Sequence, residues 1–220
     1  MSTHSVRSGL VPRARPLPPA DRRSAVLDAA LPVVLEHGRA ATTRQIAEAA
    51  GIAEGTLFRV FATKDELFAA VLDDVLDPTD FAAELDAVDR ALPLEERLLV
   101  ATRATQARFR RIFHVMTALG IVGPPRRADP DEQRLEAGRR STARLTALLE
   151  PDADAFRVPL AEVVRLLRLL TFSGSHPHIG EDALLTPEQI VDVILRGTLR
   201  PTAPATPATP VTPATPTTEA

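Results

Sequence analysis

The sequence predicts an all-α protein: an N-terminal three-helix unit built around a helix-turn-helix, followed by a longer C-terminal helical bundle. Three observations predict it. Between residues 21 and 200 apolar side chains recur at helical spacing, and no alternating, β-branched run marks a strand. Two capping boxes, Thr42-x-x-Gln45 and Thr63-x-x-Glu66, mark nearby helix starts. Gly51 lies between them, where a tight turn between two short helices needs a residue free to take positive φ.

Residues 1–20 hold four prolines and three arginines without helical period and are expected to form a disordered basic arm. Its Arg7, Arg13 and Arg15 suit either a solvated tail or a minor-groove contact. The first helix is expected over 21–37, with Val26, Ala29, Ala30, Val33 and Val34 on one face and Gly38 as its stop. Pro32 inside it predicts a kink, because an interior proline loses a ladder bond at about 3 kcal/mol. Helices at 43–50 and 54–61 follow, and a fourth begins after Thr63. Ala47 supplies the small residue a close helix crossing needs, while Ile46, Ala50, Ile52, Leu57 and Val60 fall on a common core. Together these helices make a first domain over 21–77.

A second domain is expected over 78–200, with helices near 80–90, 94–120, 131–149, 156–174 and 187–199. Pro124-Pro125 and His176-Pro177-His178 mark loops. Residues 201–220 repeat Pro, Ala and Thr, which favours polyproline II over packed structure, so a dispensable disordered tail is expected.

Composition narrows the function. The chain has no cysteine, so disulfides, thiolate metal sites and a cysteine nucleophile are excluded. No apolar run approaches the roughly 20 residues of a membrane span, and the N-terminus has no apolar signal core. A cytoplasmic protein without a membrane partner is expected. Residues 1–64 carry nine basic and five acidic side chains, a balance of +4 against −7 for the remainder of a chain of net charge −3. A basic front and an acidic rear suit a protein that presents one end to phosphates. His114, His176 and His178 have no carboxylate or thiolate partner at metal spacing. No nucleophile motif, phosphate loop or paired-carboxylate signature is present, so neither an enzyme nor a cofactor is expected.

Thr42-Thr43-Arg44-Gln45-Ile46-Ala47, Ala50-Gly51-Ile52, Gly55-Thr56-Leu57-Phe58, Phe61 and Lys64-Asp65-Glu66-Leu67 resemble the TetR family of bacterial repressors. The resemblance is specific over the first four helices and rests on general layout beyond them. It implies that Thr43, Thr56 and Lys64 contact DNA phosphates and that Arg44 reads a base, as a guanidinium grips guanine O6 and N7. Glu54, Gly55, Phe58 and Arg59 would lie on the recognition helix. Glu54 suits either cytosine N4 or the positive end of the helix dipole. Three positions depart from the family pattern. Phe58 replaces a common tyrosine, Val60 a common histidine or tyrosine, and Ala53 a common serine whose cap is worth about 1 kcal/mol.

The resemblance further implies a sequence-specific, homodimeric repressor, released from a palindromic double-stranded operator by a small, mainly apolar effector. The alternative is a helical interaction or adaptor protein of the same fold that has lost DNA binding. Phe58 and Val60 favour it, and the retained Thr43, Arg44, Thr56 and Lys64 oppose it. Helices 156–174 and 187–199 carry apolar residues over an arc of about 220°, where one buried face needs little more than about 100°. The excess predicts burial on two sides, against the chain's own bundle and against a second copy. The effector pocket is expected along helix 94–120, where Thr102, Thr105, Phe109, Ile112 and Met116 form an inward stripe with Gln106 and Phe113 beside it.

Overall fold

Most helices begin where the chain supplies amide acceptors or prolines; α3, which starts after Ala53, has neither. In the computed structural model, which describes residues 18–122, 132–177, 179 and 184–201, nine α-helices follow in order. These are α1 Pro19–His37, α2 Thr43–Ala49, α3 Glu54–Val60, α4 Lys64–Leu76 and α5 Thr79–Asp86, then α6 Leu94–Ala118, α7 Glu132–Leu149, α8 Leu160–Ser175 and α9 Pro187–Thr198. Short 3₁₀ turns occupy Gly38–Ala40 and Glu150–Ala155. The Pro124-Pro125 loop, His178 and the expected arm and tail lie outside the described residues, apart from the few at their inner ends.

Thr42 accepts from the Gln45 amide, and Gln45 returns the bond to the Thr42 amide at 2.8 Å. Thr63 caps α4 by accepting from the Glu66 amide, but the Glu66 carboxylate takes the Ala62 amide at 2.8 Å. A third box, Thr186 with Gln189, opens α9 and was not singled out from the sequence. Helix α1 starts earlier than the periodicity suggests because Pro19 occupies its first turn, where a missing N–H is harmless. It continues through Pro32 as one helix, with Asp28 and Pro32 both exposed, so the carbonyl left without a donor reaches water.

The expected helix over 156–174 is corrected at its start. Helix α8 begins at Leu160 because Pro159 takes the cap position and disfavours helical backbone in the residue before it. Phe156 instead pairs with Leu199 in an isolated antiparallel bridge, and the Arg157 amide donates to the Thr198 carbonyl at 2.8 Å. The helix expected over 80–90 is shorter, Thr79–Asp86.

Two apolar cores hold the fold. The first joins Val26, Ala30 and Val34 of α1, Ile46 of α2, Leu57 of α3 and Leu67, Val71 and Val75 of α4. Phe61, fully buried, seals it from the loop after α3. The second joins Phe81 and Leu85 of α5, Leu98 and Ala101 of α6, Leu145 and Leu148 of α7, Val163 and Leu167 of α8, and Ile190 and Ile194 of α9. Each buried Val, Leu, Ile or Phe side chain contributes about 1.5–3 kcal/mol. Helix α6 belongs to both: its first half lies in the second core, and Ile112, Val115 and Leu119 at its far end lie in the first.

The first core meets the end of α6 backbone to backbone. Gly38 takes φ 56°, and a Cβ there would sit 2.5 Å from the Ala118 carbonyl oxygen. Only glycine permits both the conformation and the approach. Arg39, beside it, reaches the Leu119 carbonyl at 3.5 Å and Asp65 at 3.7 Å.

Candidate nucleic-acid interface and ligand cavity

Helices α2 and α3 cross at Ala47, which is buried, and turn at Gly51, which takes φ 66°. The Ile52 amide closes the turn on the Ala47 carbonyl at 3.0 Å. Burial of Ile46 and Leu57, with Ala50, Ile52 and Val60 packed against them, fixes which faces remain outside. The outer faces carry the residues singled out from the sequence. Arg44, Glu54, Gly55, Phe58 and Arg59 are exposed; Thr43, Thr56 and Lys64 are half-buried.

Several of these groups already have partners. The Thr43 hydroxyl donates to Glu54 at 2.5 Å, which ties the start of α2 to the start of α3. Arg44 Nε donates to Glu48 at 3.0 Å, one turn on, and that bond with the neighbouring carboxylate raises the Arg44 pKa. Lys64 Nζ donates to the Arg39 carbonyl at 2.8 Å and lies 5.1 Å from the centre of the Phe68 ring. Arg59 has no ion-pair or hydrogen-bond partner among the described residues. Phe58 leaves 45% of its surface exposed, on the helix that would face DNA. Gly55 has nothing within 4 Å of where a Cβ would stand, so its backbone can be approached closely.

Helix α6 divides the residues expected at the effector pocket. A cavity of about 240 Å³ opens between α4, α5, α6, α7 and α8. Leu76, Phe81, Phe109, Ile112 and Leu145 form its walls, with Thr105, Arg108 and Arg168 also lining it. Thr105, Phe109 and Ile112 of the expected stripe line it; Thr102, Gln106, Phe113 and Met116 do not. The helical wheel gives the reason. Relative to Thr105, Arg108 and Ile112 turn about 60° and 20° one way, whereas Thr102, Phe113 and Gln106 turn about 60–100° the other way. Gln106 accordingly donates to the Leu185 carbonyl at 2.8 Å, and Phe113 joins Phe109, Phe172 and His176 in a ring cluster. Met116 points the same way as Thr105 but lies about 16 Å along the axis, where it packs on the first core.

Arg108 was passed over in the sequence because a charged residue interrupts the apolar stripe, yet its spacing from Thr105 and Ile112 places it on the cavity side. It donates to the carbonyls of Leu76 and Asp77 at 2.7 Å each, the end of α4, and its guanidinium lies 5.4 Å from the Phe81 ring centre. Burial lowers its pKa, against the opposing pull of the Asp77 carboxylate. On the far side of Arg108 a second cavity, about 320 Å³, is lined by Asp74, Asp77, Asp80 and Glu84. Burial raises the Asp74 pKa, opposed by Arg111. Among the described residues no cluster of three metal-ligating side chains occurs, and no helix is long and apolar enough to cross a membrane.

Two short helices crossing at an alanine, with exposed donors on the outer helix and a helical body behind, define a helix-turn-helix unit. Residues 26–71 match the model of the bacterial regulatory proteins of the tetR family. The transcriptional repressor KstR2 of Mycobacterium tuberculosis is 43% identical over 76 residues, 34% of this chain and 38% of that protein. The chain thus matches little more than a third of that relative's length. A transcriptional regulator from Rhodococcus sp. Rha1 superimposes with a TM-score of 0.50 at 26% identity, over 82% of this chain and 97% of the other. A TetR-family regulator from Mesorhizobium loti superimposes with a TM-score of 0.58 over 84% of this chain and the whole of the other; at 15% identity it speaks for the fold alone.

Proposed function

We propose that the protein is a homodimeric repressor that binds a palindromic DNA operator through α2 and α3 and is released by a small effector. The observation that carries the DNA reading is the surface of α2 and α3, where Arg44, Gly55, Phe58 and Arg59 stand exposed beside Thr43, Thr56 and Lys64. Arg44 reads a base, and Thr43, Thr56, Arg59 and Lys64 hold phosphates. Glu54 orients Thr43 through their hydrogen bond, and Phe58 offers an apolar face to a thymine methyl. The exposed ion pair of Arg44 with Glu48 is cheap to exchange for a base edge.

The dimer reading is supported by apolar groups that the chain's own bundle leaves uncovered. Leu169 and Phe172 of α8 and Val193 of α9 are 52%, 39% and 57% exposed, while Val163, Val164, Leu167, Ile190 and Ile194 on the same helices are buried. Two such helices from each copy make an isologous four-helix contact, which sets two recognition helices about one DNA turn, roughly 34 Å or slightly more, apart. An effector in the 240 Å³ cavity shifts that separation only if it binds the DNA-incompetent state more tightly; DNA then weakens the effector by the same factor. Sedimentation of the free protein tests the dimer: a monomer at micromolar concentration would remove it.

A further inference from the structure

The walls of the α4–α8 cavity carry two positive charges and no carboxylate. Arg108 and Arg168 are its charged lining residues, set among Leu76, Phe81, Phe109 and Ile112. Among the described residues neither guanidinium is tied to an acid by hydrogen bond, although the Asp77 carboxylate acts on Arg108 through space. Arg168 donates to the Thr142 hydroxyl at 2.7 Å, and Arg108 donates only to main-chain carbonyls. Those carbonyls belong to Leu76 and Asp77, at the C-terminal end of α4, where the helix dipole is negative. Arg108 therefore caps α4 from α6. The helix it caps begins at Lys64, directly after the loop that follows the recognition helix.

A carbonyl pair is a weaker partner for a guanidinium than a carboxylate, whose two oxygens match the fork and carry a full charge. Resting on the reading above that the cavity takes an effector, we infer that its ligand is a small carboxylate with an apolar body, and that the carboxylate draws Arg108 off the end of α4. The ligand buries its body against Phe81, Phe109 and Ile112 and its head between Arg108 and Arg168. Taking Arg108 uncaps the last turn of α4, and α4 then loosens at its body end while its start stays packed in the first core. The cavity falls below the roughly 300–1,000 Å³ of drug-sized sites, so the body is short.

The test uses the full chain and one apolar body with four heads: octanoate, 1-octanol, octylamine and octyl phosphate, titrated calorimetrically. Octanoate is expected to bind tightest and to lose at least tenfold in Arg108→Met, because a hydrogen-bonded charge is removed. Arg168→Met, on an exposed residue that leaves the fold intact, is expected to lose affinity in the same direction. Amide exchange over residues 72–80 is the second readout: octanoate is expected to accelerate it in the native chain, and Arg108→Met to show the fast exchange without ligand. Equal binding of octanol or octylamine, tighter binding of octyl phosphate, or failure of octanoate to bind would each overturn the carboxylate. Binding without faster exchange would overturn the uncapping. Neither readout needs DNA, so loss of the operator reading alone would leave this assignment standing.

Discussion

The helix-turn-helix and the helical body treat their polar side chains in opposite ways. Around α2 and α3 several polar groups are close to water and paired with a near neighbour in sequence or space: Thr42 with Gln45, Thr43 with Glu54, Arg44 with Glu48. Inside the body, Arg97, Thr102 and Gln106 are buried, and among the described residues Arg97 Nε, Thr102 Oγ1 and Gln106 Oε1 find no hydrogen-bond partner. Arg97 still donates to the Leu148 carbonyl at 2.7 Å and bonds to Asp152, and Arg108 holds carbonyls of another helix. The first region can trade its partners for phosphates without disturbing a core. The second keeps polar groups where their partners decide how helices lean on one another.

The largest expected effect lies where the two regions touch. Gly38→Ala adds a Cβ 2.5 Å from the Ala118 carbonyl and strains a positive φ, so it should cost about 3 kcal/mol in thermal unfolding. A loss under about 1 kcal/mol would mean that the first core is not locked to α6. Next comes Arg44→Ala, expected to weaken operator binding roughly ten- to a hundredfold and to relax preference at one base pair per half-site. Lys64→Ala should weaken all sequences alike; equal, sequence-independent losses for both, read by fluorescence anisotropy, would break the assigned roles.

Smaller effects sharpen the contrast. Gly51→Ala meets no atom within 4 Å, so only its φ of 66° is penalised, at about 1–2 kcal/mol; the gap from Gly38→Ala measures the packing of the second glycine against α6. Thr102→Val replaces an unpartnered buried hydroxyl with a methyl of like shape and should stabilise by about 1 kcal/mol, raising Tm by about 2–4 °C. A fall in Tm would show that the Thr102 hydroxyl has a partner, such as a bound water.

The legibility of the two regions differs for a physical reason. In the N-terminal unit the signals are local: a capping box fixes a helix start within one turn, and Gly51 fixes the turn, so the spacing in the sequence carried over to the fold. In the body, helix extents were legible, but Pro159 and the Phe156–Leu199 pairing moved the start of α8, because a contact 43 positions away in sequence leaves no local mark. The cavity was half legible. Thr105, Phe109 and Ile112 of the expected stripe line it, while Thr102, Gln106 and Phe113 do not, since the sequence cannot say which side of a helix wrapped by neighbours is empty. Arg108 carried no apolar signal at all, and its role emerged only from the α4 carbonyls it holds.

The central claim is that two copies of the α2–α3 surface read DNA together. Selection of random duplexes by the full chain tests it most directly. The account expects enrichment of a palindrome with half-sites about one helical turn apart, at roughly 10–10.5 base pairs or slightly more, and loss of one base preference per half-site in Arg44→Ala. Enrichment of nothing, or of a single asymmetric site bound by one copy, would contradict it.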